Sequence, residues 1–137
     1  MIVITGAAGF IGSCIAGTLN AKGINHLILV DDFSKTEKAA NLADKQFVAK
    51  VDRADFDQWM TDFGSEVTHV LHIGARTDTT EFDMSIFDEL NIAFSKMVWK
   101  HCVNFNIPLV YASSAATYGL GELGYADNED LIPSLKP

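Results

Sequence analysis

Two stretches of this sequence combine residue types and spacings that could do chemistry. The first is TGAAGFIG at residues 5–12, where Gly6, Gly9 and Gly12 recur at every third position. Gly6 allows a tight turn, Gly9 leaves room for a pyrophosphate beside the backbone, and Gly12 allows the following helix to pack closely against the preceding strand. The unpaired amides and partial positive charge at the start of that helix attract phosphates. We therefore predict a dinucleotide-binding loop.

An acidic pair follows at the distance expected for such a site. Asp31 stands nineteen residues after Gly12 and is followed by Asp32. A carboxylate at this point normally accepts hydrogen bonds from the adenosine ribose, which favours NAD because a 2′-phosphate would be repelled. Lys38 and Arg53 favour NADP instead, since either cation could pair with a 2′-phosphate. The residues alone leave NAD and NADP open.

The second stretch is YASSAATYG at residues 111–119. It places four hydroxyl side chains within six positions, directly after an apolar run that is typical of a strand: Ser113, Ser114, Thr117 and Tyr118. Open α/β sheets bind their ligands at the edge formed by the carboxyl ends of the strands. We therefore expect some of these hydroxyl groups to belong to a ligand site.

Alternating apolar runs and helical patterns would position both stretches. Short apolar runs predict strands at 1–5, 26–31, 46–52, 67–75 and 107–113. Apolar residues at helical spacing predict helices at 9–23, 54–63 and 84–105, with a short polar helix or loop at 35–44. This order predicts an α/β fold, a Rossmann-type doubly wound parallel sheet with helices on both faces, truncated after about five strands.

The composition is that of a globular domain, and it argues against some partners. The chain has 137 residues, 48% of them hydrophobic, and 18 acidic against 10 basic side chains give a formal net charge of −8. Negative charge argues against a nucleic-acid partner, and no apolar run is long enough to span a membrane. Cys14 and Cys102 lack CxxC spacing, so we expect free thiols in a reducing cytoplasm. We also expect no targeting segment and no metal site.

Several motifs together resemble the extended short-chain dehydrogenase/reductase family, which includes nucleotide-sugar epimerases and dehydratases. They are TGxxGxxG at 5–12, HIGA at 72–75 and SSAATYG at 113–119. Within that family, TGAAGFIGS, LNAKGI, VDDFS, ARTDTTEFD and YASSAATYG are similar to members that act on an ADP-linked heptose. The resemblance implies an epimerase that removes and returns a hydride at C6 of this heptose with bound NADP, for lipopolysaccharide core biosynthesis.

The resemblance also implies roles for individual residues. Ser114 matches the catalytic serine, whose hydroxyl would bond to the sugar oxygen that alternates between alcohol and ketone. Lys38 and Arg53 would contact a 2′-phosphate, so the resemblance favours NADP, with NAD as the alternative. The implied cofactor contacts are Gly6, Gly9, Phe10, Ile11, Gly12, Asp31, Asp32, Lys38, Arg53, Gly74, Ala75, Arg76 and Asn91.

The catalytic tyrosine and lysine of the family, in a YxxxK motif, do not occur in this chain. The lysine lowers the pKa of the tyrosine by placing a positive charge beside the phenolate. Family members carry the motif just beyond a KP like Lys136–Pro137. We therefore expect residues 1–137 to be the N-terminal part of an NAD(P)-binding domain, without the C-terminal substrate domain and inactive alone.

Further expectations concern the oligomeric state and the alternative functions of the full-length protein. The resemblance implies a homo-oligomer when the enzyme is full length. Two alternatives stay open: an epimerase or dehydratase of another nucleotide sugar, and a non-catalytic NAD(P)-binding module, for which loss of YxxxK would be natural.

Overall fold

A parallel sheet forms the centre of the molecule. The computed structural model describes residues 1–74, 88–114, 118–125, 128 and 130, and within these residues five strands form one sheet in which every pairing is parallel. The strands are Ile2–Thr5 (β1), Leu27–Asp31 (β2), Ala49–Asp52 (β3), His69–His72 (β4) and Leu109–Tyr111 (β5). Their order across the sheet is β3-β2-β1-β4-β5. The chain thus starts in the centre and adds strands on one side and then on the other.

Helices connect successive strands. The α-helices of the described residues are Phe10–Ala21 (α1), Phe56–Phe63 (α2) and Phe94–Asn104 (α3). Shorter 3₁₀ helices lie at Thr36–Leu42, Arg53–Asp55 and Gly64–Glu66, and a π-helical turn at Asp88–Ala93 leads into α3. Residues 84–87 of the last predicted helix lie outside the described residues.

Two apolar clusters cover the two faces of the sheet. Side chains alternate along a strand, so Val3 and Ile4 of β1 belong to different clusters. On the face of Val3, α2 contributes Phe56 and α3 contributes Val98. On the face of Ile4, α1 contributes Ala16. Helices therefore pack on both faces, which confirms the predicted doubly wound α/β fold.

The fourth strand is shorter than the apolar run predicts. The run extends to residue 75, but β4 ends at His72. Beyond it, the amide of Gly74 donates to the Thr5 hydroxyl (3.2 Å) instead of extending the ladder. The chain thus leaves the sheet where it meets the turn after β1.

The cysteines, the length of the helices and the arrangement of possible metal ligands bear on the expectations from the composition. Cys14 and Cys102 are both free, the first exposed and the second buried. None of the helices in the described ranges is long and apolar enough to cross a lipid bilayer. In the same ranges, no three His, Cys, Asp or Glu side chains come together in a way that could hold a metal ion.

Candidate functional site

A cleft of about 630 Å³ runs along the carboxyl edge of the sheet, where β1, β2 and β4 end. Open α/β sheets bind ligands at this edge. Most of the cofactor contacts predicted from the sequence line the cleft: Gly6, Gly9, Phe10, Ile11, Gly12, Asp31, Asp32, Lys38, Arg53 and Gly74. The fold therefore brings together residues that are separated by up to 68 positions in the chain.

The turn after β1 requires glycine at two of its three glycine positions. Gly6 has a φ of +66°, in the left-handed region that side chains disfavour. A Cβ on Gly12 would lie 2.1 Å from the carbonyl oxygen of Gly6, so only glycine allows α1 to start this close to the turn. At Gly9 the nearest atom to a Cβ, also the Gly6 oxygen, would be 3.2 Å away, which is tight but less restrictive.

The start of α1 offers backbone amides to the cleft. Gly9 is the N-cap, no side chain caps the helix, and the first turn contains no acidic residue. The first amides of an α-helix have no acceptor within the helix, and this end carries partial positive charge. Phe10 and Ile11 are 82% and 59% exposed, so this first turn is accessible. The arrangement can receive an anionic group such as a pyrophosphate.

Asp31 is bonded to the protein through both carboxylate oxygens. It is buried at the end of β2. Its Oδ2 accepts a hydrogen bond from the Ala8 amide (2.8 Å), and its Oδ1 accepts one from the Asp32 amide (2.8 Å). The Nζ of Lys38 lies 3.4 Å from Oδ1. Asp31 therefore fastens the glycine loop to β2, a role that sequence reasoning missed when it assigned only a ribose contact.

Asp32 has a carboxylate that is ionised over a wide pH range. Ser34 donates to its Oδ1 from both the hydroxyl (2.5 Å) and the amide (3.1 Å). These hydrogen bonds, helped by the positive charges of Lys35 and Arg53, lower the pKa of Asp32 below its usual 3.8. An ionised carboxylate facing the cleft can accept hydrogen bonds from sugar hydroxyls.

Among the described residues, three cations line the cleft beside this acidic pair: Lys35, Lys38 and Arg53. These side chains can offer charge-assisted hydrogen bonds to an anionic ligand in the cleft. Lys35 was missed by sequence reasoning. Its position could have indicated a role in the site, because Lys35 lies three residues after Asp32 and in the same segment between β2 and β3 as Lys38.

A hydrogen-bonded chain of side chains joins the ends of β1 and β4 to α3. The His72 ring is buried, with Nδ1 2.6 Å from the Thr5 hydroxyl and Nε2 2.9 Å from the Ser95 hydroxyl. Burial lowers the pKa of His72 below its usual 6.5, so the ring is neutral at neutral pH. Because Thr5 also accepts from the amide of Gly74, this chain supports the floor of the cleft.

A second cavity, of about 480 Å³, continues the cleft towards α3. Asp32, Arg53 and Phe94 line both cavities, so the two form one groove. Asp52 at the end of β3 and Met97 of α3 line the extension. An apolar wall with polar side chains at its rim suits a flat ring that carries hydrogen-bonding groups. The sequence had not indicated this wall.

The remaining predicted residues do not line the cleft or lie outside the described part. Asn91 is partly buried in the π-helical turn before α3, and Ser114 is exposed just after β5; both make contacts with other residues. Ser114 does lie at the carboxyl edge, because the Ala112 amide donates to the His72 carbonyl oxygen (3.1 Å) and keeps the end of β5 beside β4. Ala75 and Arg76 lie outside the described residues.

Comparison with known proteins identifies the family. Residues 2–136 match the NAD dependent epimerase/dehydratase family. Because this match spans nearly the whole chain, the chain belongs to that family, which confirms the resemblance found in the motifs.

Two curated relatives that are similar to this chain carry the same name. The ADP-L-glycero-D-manno-heptose-6-epimerase of Fusobacterium nucleatum is 38% identical over 135 residues, which are 97% of this chain and 40% of the relative. The protein of the same name from Nitratidesulfovibrio vulgaris (strain Hildenborough) is 39% identical. The aligned region is 100% of this chain and 43% of that relative. The chain therefore spans about two fifths of the length of these curated relatives.

A solved structure supports the fold. The UDP-glucuronic acid 4-epimerase of Bacillus cereus, crystallised with NAD, superimposes on this chain with a TM-score of 0.76 at 25% identity. The similarity covers 99% of this chain and 45% of that one.

Proposed function

We propose that this chain is the N-terminal, cofactor-binding part of an epimerase that converts ADP-D-glycero-D-manno-heptose to ADP-L-glycero-D-manno-heptose for lipopolysaccharide core biosynthesis. The observation that carries the proposal is the glycine loop at the open start of α1, within a chain whose relatives bear the name of that enzyme. The C-terminal substrate domain would follow residue 137.

The residues of the cleft fit a nicotinamide dinucleotide. Gly6, Gly9 and the amides of Phe10 and Ile11 would hold the pyrophosphate, and Asp31 and Asp32 would hold the adenosine ribose. Gly12 would keep α1 close to the turn, and Gly74 would line the cleft beside Gly6.

For the type of dinucleotide we propose NADP, with NAD as the alternative. Lys35, Lys38 and Arg53 would surround a 2′-phosphate, and charge-assisted hydrogen bonds of this kind are among the strongest polar contacts. Lys38 already neutralises Asp31, the carboxylate that would otherwise repel this phosphate. Ala75, Arg76 and Asn91 are proposed as further contacts on the motif resemblance alone.

The catalytic role proposed for this chain belongs to Ser114. Its hydroxyl would hydrogen-bond to the sugar oxygen that changes between alcohol and ketone, while the tyrosine and lysine of the acid/base pair would come from beyond residue 137. When bound, the nicotinamide supplies hydride exchange at C6 of the heptose. The protein side chains orient the sugar and handle the proton.

We also propose a cellular location, an oligomeric state and partners for the full-length enzyme. Free thiols at Cys14 and Cys102 suit a reducing cytoplasm. We propose a homo-oligomer for the full-length protein, with the nucleotide sugar as its small-molecule partner and no nucleic-acid or membrane partner.

The test is product analysis with the intact protein. ADP-D-glycero-D-manno-heptose should be converted to the epimer inverted at C6, which NMR distinguishes from the substrate. Ser114→Ala should lower kcat by about 10²-fold or more, as expected when a hydrogen bond to the reacting oxygen is removed. Ser113→Ala, which removes the neighbouring hydroxyl, is the matched control and should keep most of the activity.

Two outcomes would replace the proposal. The similarity to the Bacillus cereus enzyme favours a second candidate, an epimerase of another nucleotide sugar. Inversion of a UDP-linked hexuronic acid or hexose, with none of the heptose, would select that candidate. Dinucleotide binding without turnover of any nucleotide sugar would select a non-catalytic module.

A further inference from the structure

The peptide group between Ala8 and Gly9, in the glycine loop, is held at both of its polar ends. The Ala8 carbonyl oxygen accepts a hydrogen bond from the Asn41 side-chain amide (2.8 Å). The Gly9 amide donates to the carbonyl oxygen of Gly6 (3.1 Å). The preceding amide, that of Ala8, donates to Asp31. The backbone just before α1 is therefore bonded to two other segments of the chain.

Asn41 reaches the loop from the 3₁₀ helix Thr36–Leu42. Leu42 is buried in the apolar cluster that contains Ala7 and Ala8, and Lys38 lies beside Asp31. These two anchors place the helix against the outer side of the loop. Asn41 and Ala8 do not line the cleft, so Asn41 can affect a ligand only through the backbone that it holds.

We propose that Asn41 is a positioning residue for pyrophosphate binding, an inference that rests on the proposed dinucleotide site. If the Ala8–Gly9 peptide rotated, its carbonyl oxygen would move away from Asn41 and its amide would lose Gly6. The dipoles that open α1 would then no longer converge on one point, which weakens the attraction for an anion. The Asn41 bond opposes that rotation and keeps the loop in its binding conformation before the ligand arrives.

The experiment compares ligands that differ in the pyrophosphate. In the intact protein, Asn41→Ala should weaken binding of NADP and NAD by the same factor, about tenfold, the usual scale for a lost hydrogen bond to an otherwise buried backbone group. Adenosine 2′-monophosphate, which has the 2′-phosphate and ribose but no pyrophosphate, should bind the variant within about twofold of the unmutated protein, because Lys38 and Leu42 still anchor the 3₁₀ helix.

A matched control is available in Asn20. Its side chain also bonds to backbone groups of another segment, donating to the Gln46 carbonyl oxygen (2.8 Å) and accepting from the Gln46 amide (2.9 Å), but near the far end of α1. Asn20→Ala should lower the stability and leave dinucleotide affinity unchanged. Asn41→Leu keeps the approximate volume without the donor, and it replaces Asn41→Ala if that variant does not fold.

The outcomes separate this inference from the proposed function. Unchanged NADP affinity in the Asn41 variants, or an equal loss for adenosine 2′-monophosphate, would overturn the positioning role and leave the dinucleotide site intact. A selective loss in Asn20→Ala would also overturn it, since the effect would then be a general consequence of loosening α1. Failure of the unmutated protein to bind NADP and NAD would refute the proposed function, and this inference with it.

Discussion

Gly6 and Gly74 face each other backbone to backbone where β1 and β4 end. A Cβ on Gly6 would lie 2.6 Å from the Gly74 Cα, and a Cβ on Gly74 would lie 2.9 Å from the Gly6 nitrogen. Neither position has room for a side chain. The contact sets the separation between the glycine loop and the segment after β4, and both segments line the cleft.

Replacing Gly6 by alanine should therefore disrupt both the fold and the site. The left-handed conformation alone costs about 1–2 kcal/mol for a residue with a side chain, and the clash with Gly74 adds to this cost. We expect a loss of more than ~2 kcal/mol in the free energy of unfolding, measured by urea denaturation, together with loss of dinucleotide binding.

Gly23→Ala is the matched control for this variant. Gly23 has a similar φ of +78°, but no atom of the described residues lies within 4 Å of the position that a Cβ would take. It should cost only the conformational ~1–2 kcal/mol and leave binding unchanged. Equal destabilisation by the two variants would show that the contact with Gly74 does not matter.

Two glycines within α1 should differ in how replacement by alanine changes the stability. Gly12→Ala places a Cβ 2.1 Å from the Gly6 oxygen, whereas at Gly17 the nearest atom is in the flexible side chain of Lys45, at 3.1 Å. Alanine is more favourable than glycine inside a helix by about 1 kcal/mol. Gly17→Ala should therefore raise the midpoint of thermal unfolding or leave it unchanged, and Gly12→Ala should lower it. A rise in both variants would contradict the close contact at Gly12.

Local patterns were sufficient to predict the elements of this fold. Apolar runs predicted all five strands; the signal is clearest for β1 and β2, which lie inside the sheet and are buried along most of their length. The turn after β1 was predictable because TGAAGFIG requires backbone conformations that only glycine allows at Gly6. The ends of the strands were less accurate, and β4 stops three residues early because Gly74 bonds to Thr5.

The contacts that support the site could not be predicted in the same way. The bond from Asn41 to the Ala8 carbonyl joins residues 33 positions apart, and the His72 ring contacts Thr5 at a separation of 67. Polar side chains of these types occur on any surface. Asn41 meets Ala8 only because the 3₁₀ helix packs beside the loop, and His72 meets Thr5 only because β4 pairs with β1 in this register. Lys35 likewise lines the cleft only because of the path that the backbone takes after β2.

The three cations of the cleft should decide the choice between NADP and NAD. We expect the intact protein to bind NADP more tightly, and the combined variant Lys35→Ala, Lys38→Ala, Arg53→Ala to lose the difference. Hydrogen bonds to charged groups contribute about 1.5–3 kcal/mol each, so removing even one should reduce NADP affinity by roughly tenfold or more. Titration calorimetry with both dinucleotides measures the effect, which should shrink at high salt.

Lys50→Ala is the control for a change of charge elsewhere. The Lys50 ammonium lies over the rings of Phe33 and Phe47, at 5.4 and 5.5 Å from their centroids, and does not line the cleft. It should leave the preference for NADP unchanged. Equal affinities of the unmutated protein for NADP and NAD would refute the assignment of these cations to a 2′-phosphate.

The His72 network should make stability depend on pH in a defined direction. Because burial lowers the pKa of His72 in the folded protein below the usual 6.5, the unfolded chain takes up the proton first as the pH falls. The free energy of unfolding should thus be independent of this group above about pH 6.5, and should decrease as the pH drops below that value towards the folded-state pKa.

The variant His72→Gln isolates this contribution. At pH 8 it should be less stable than the unmutated protein by about 1–3 kcal/mol, since Thr5 and Ser95 lose a buried partner. The difference should narrow as the pH falls from 6.5 to 5, because only the unmutated protein loses stability through this ring. His69→Gln, at the exposed start of the same strand, removes an imidazole outside this network and is the matched control. A gap that stays constant from pH 8 to pH 5 would mean that His72 is not held in its neutral form by the fold.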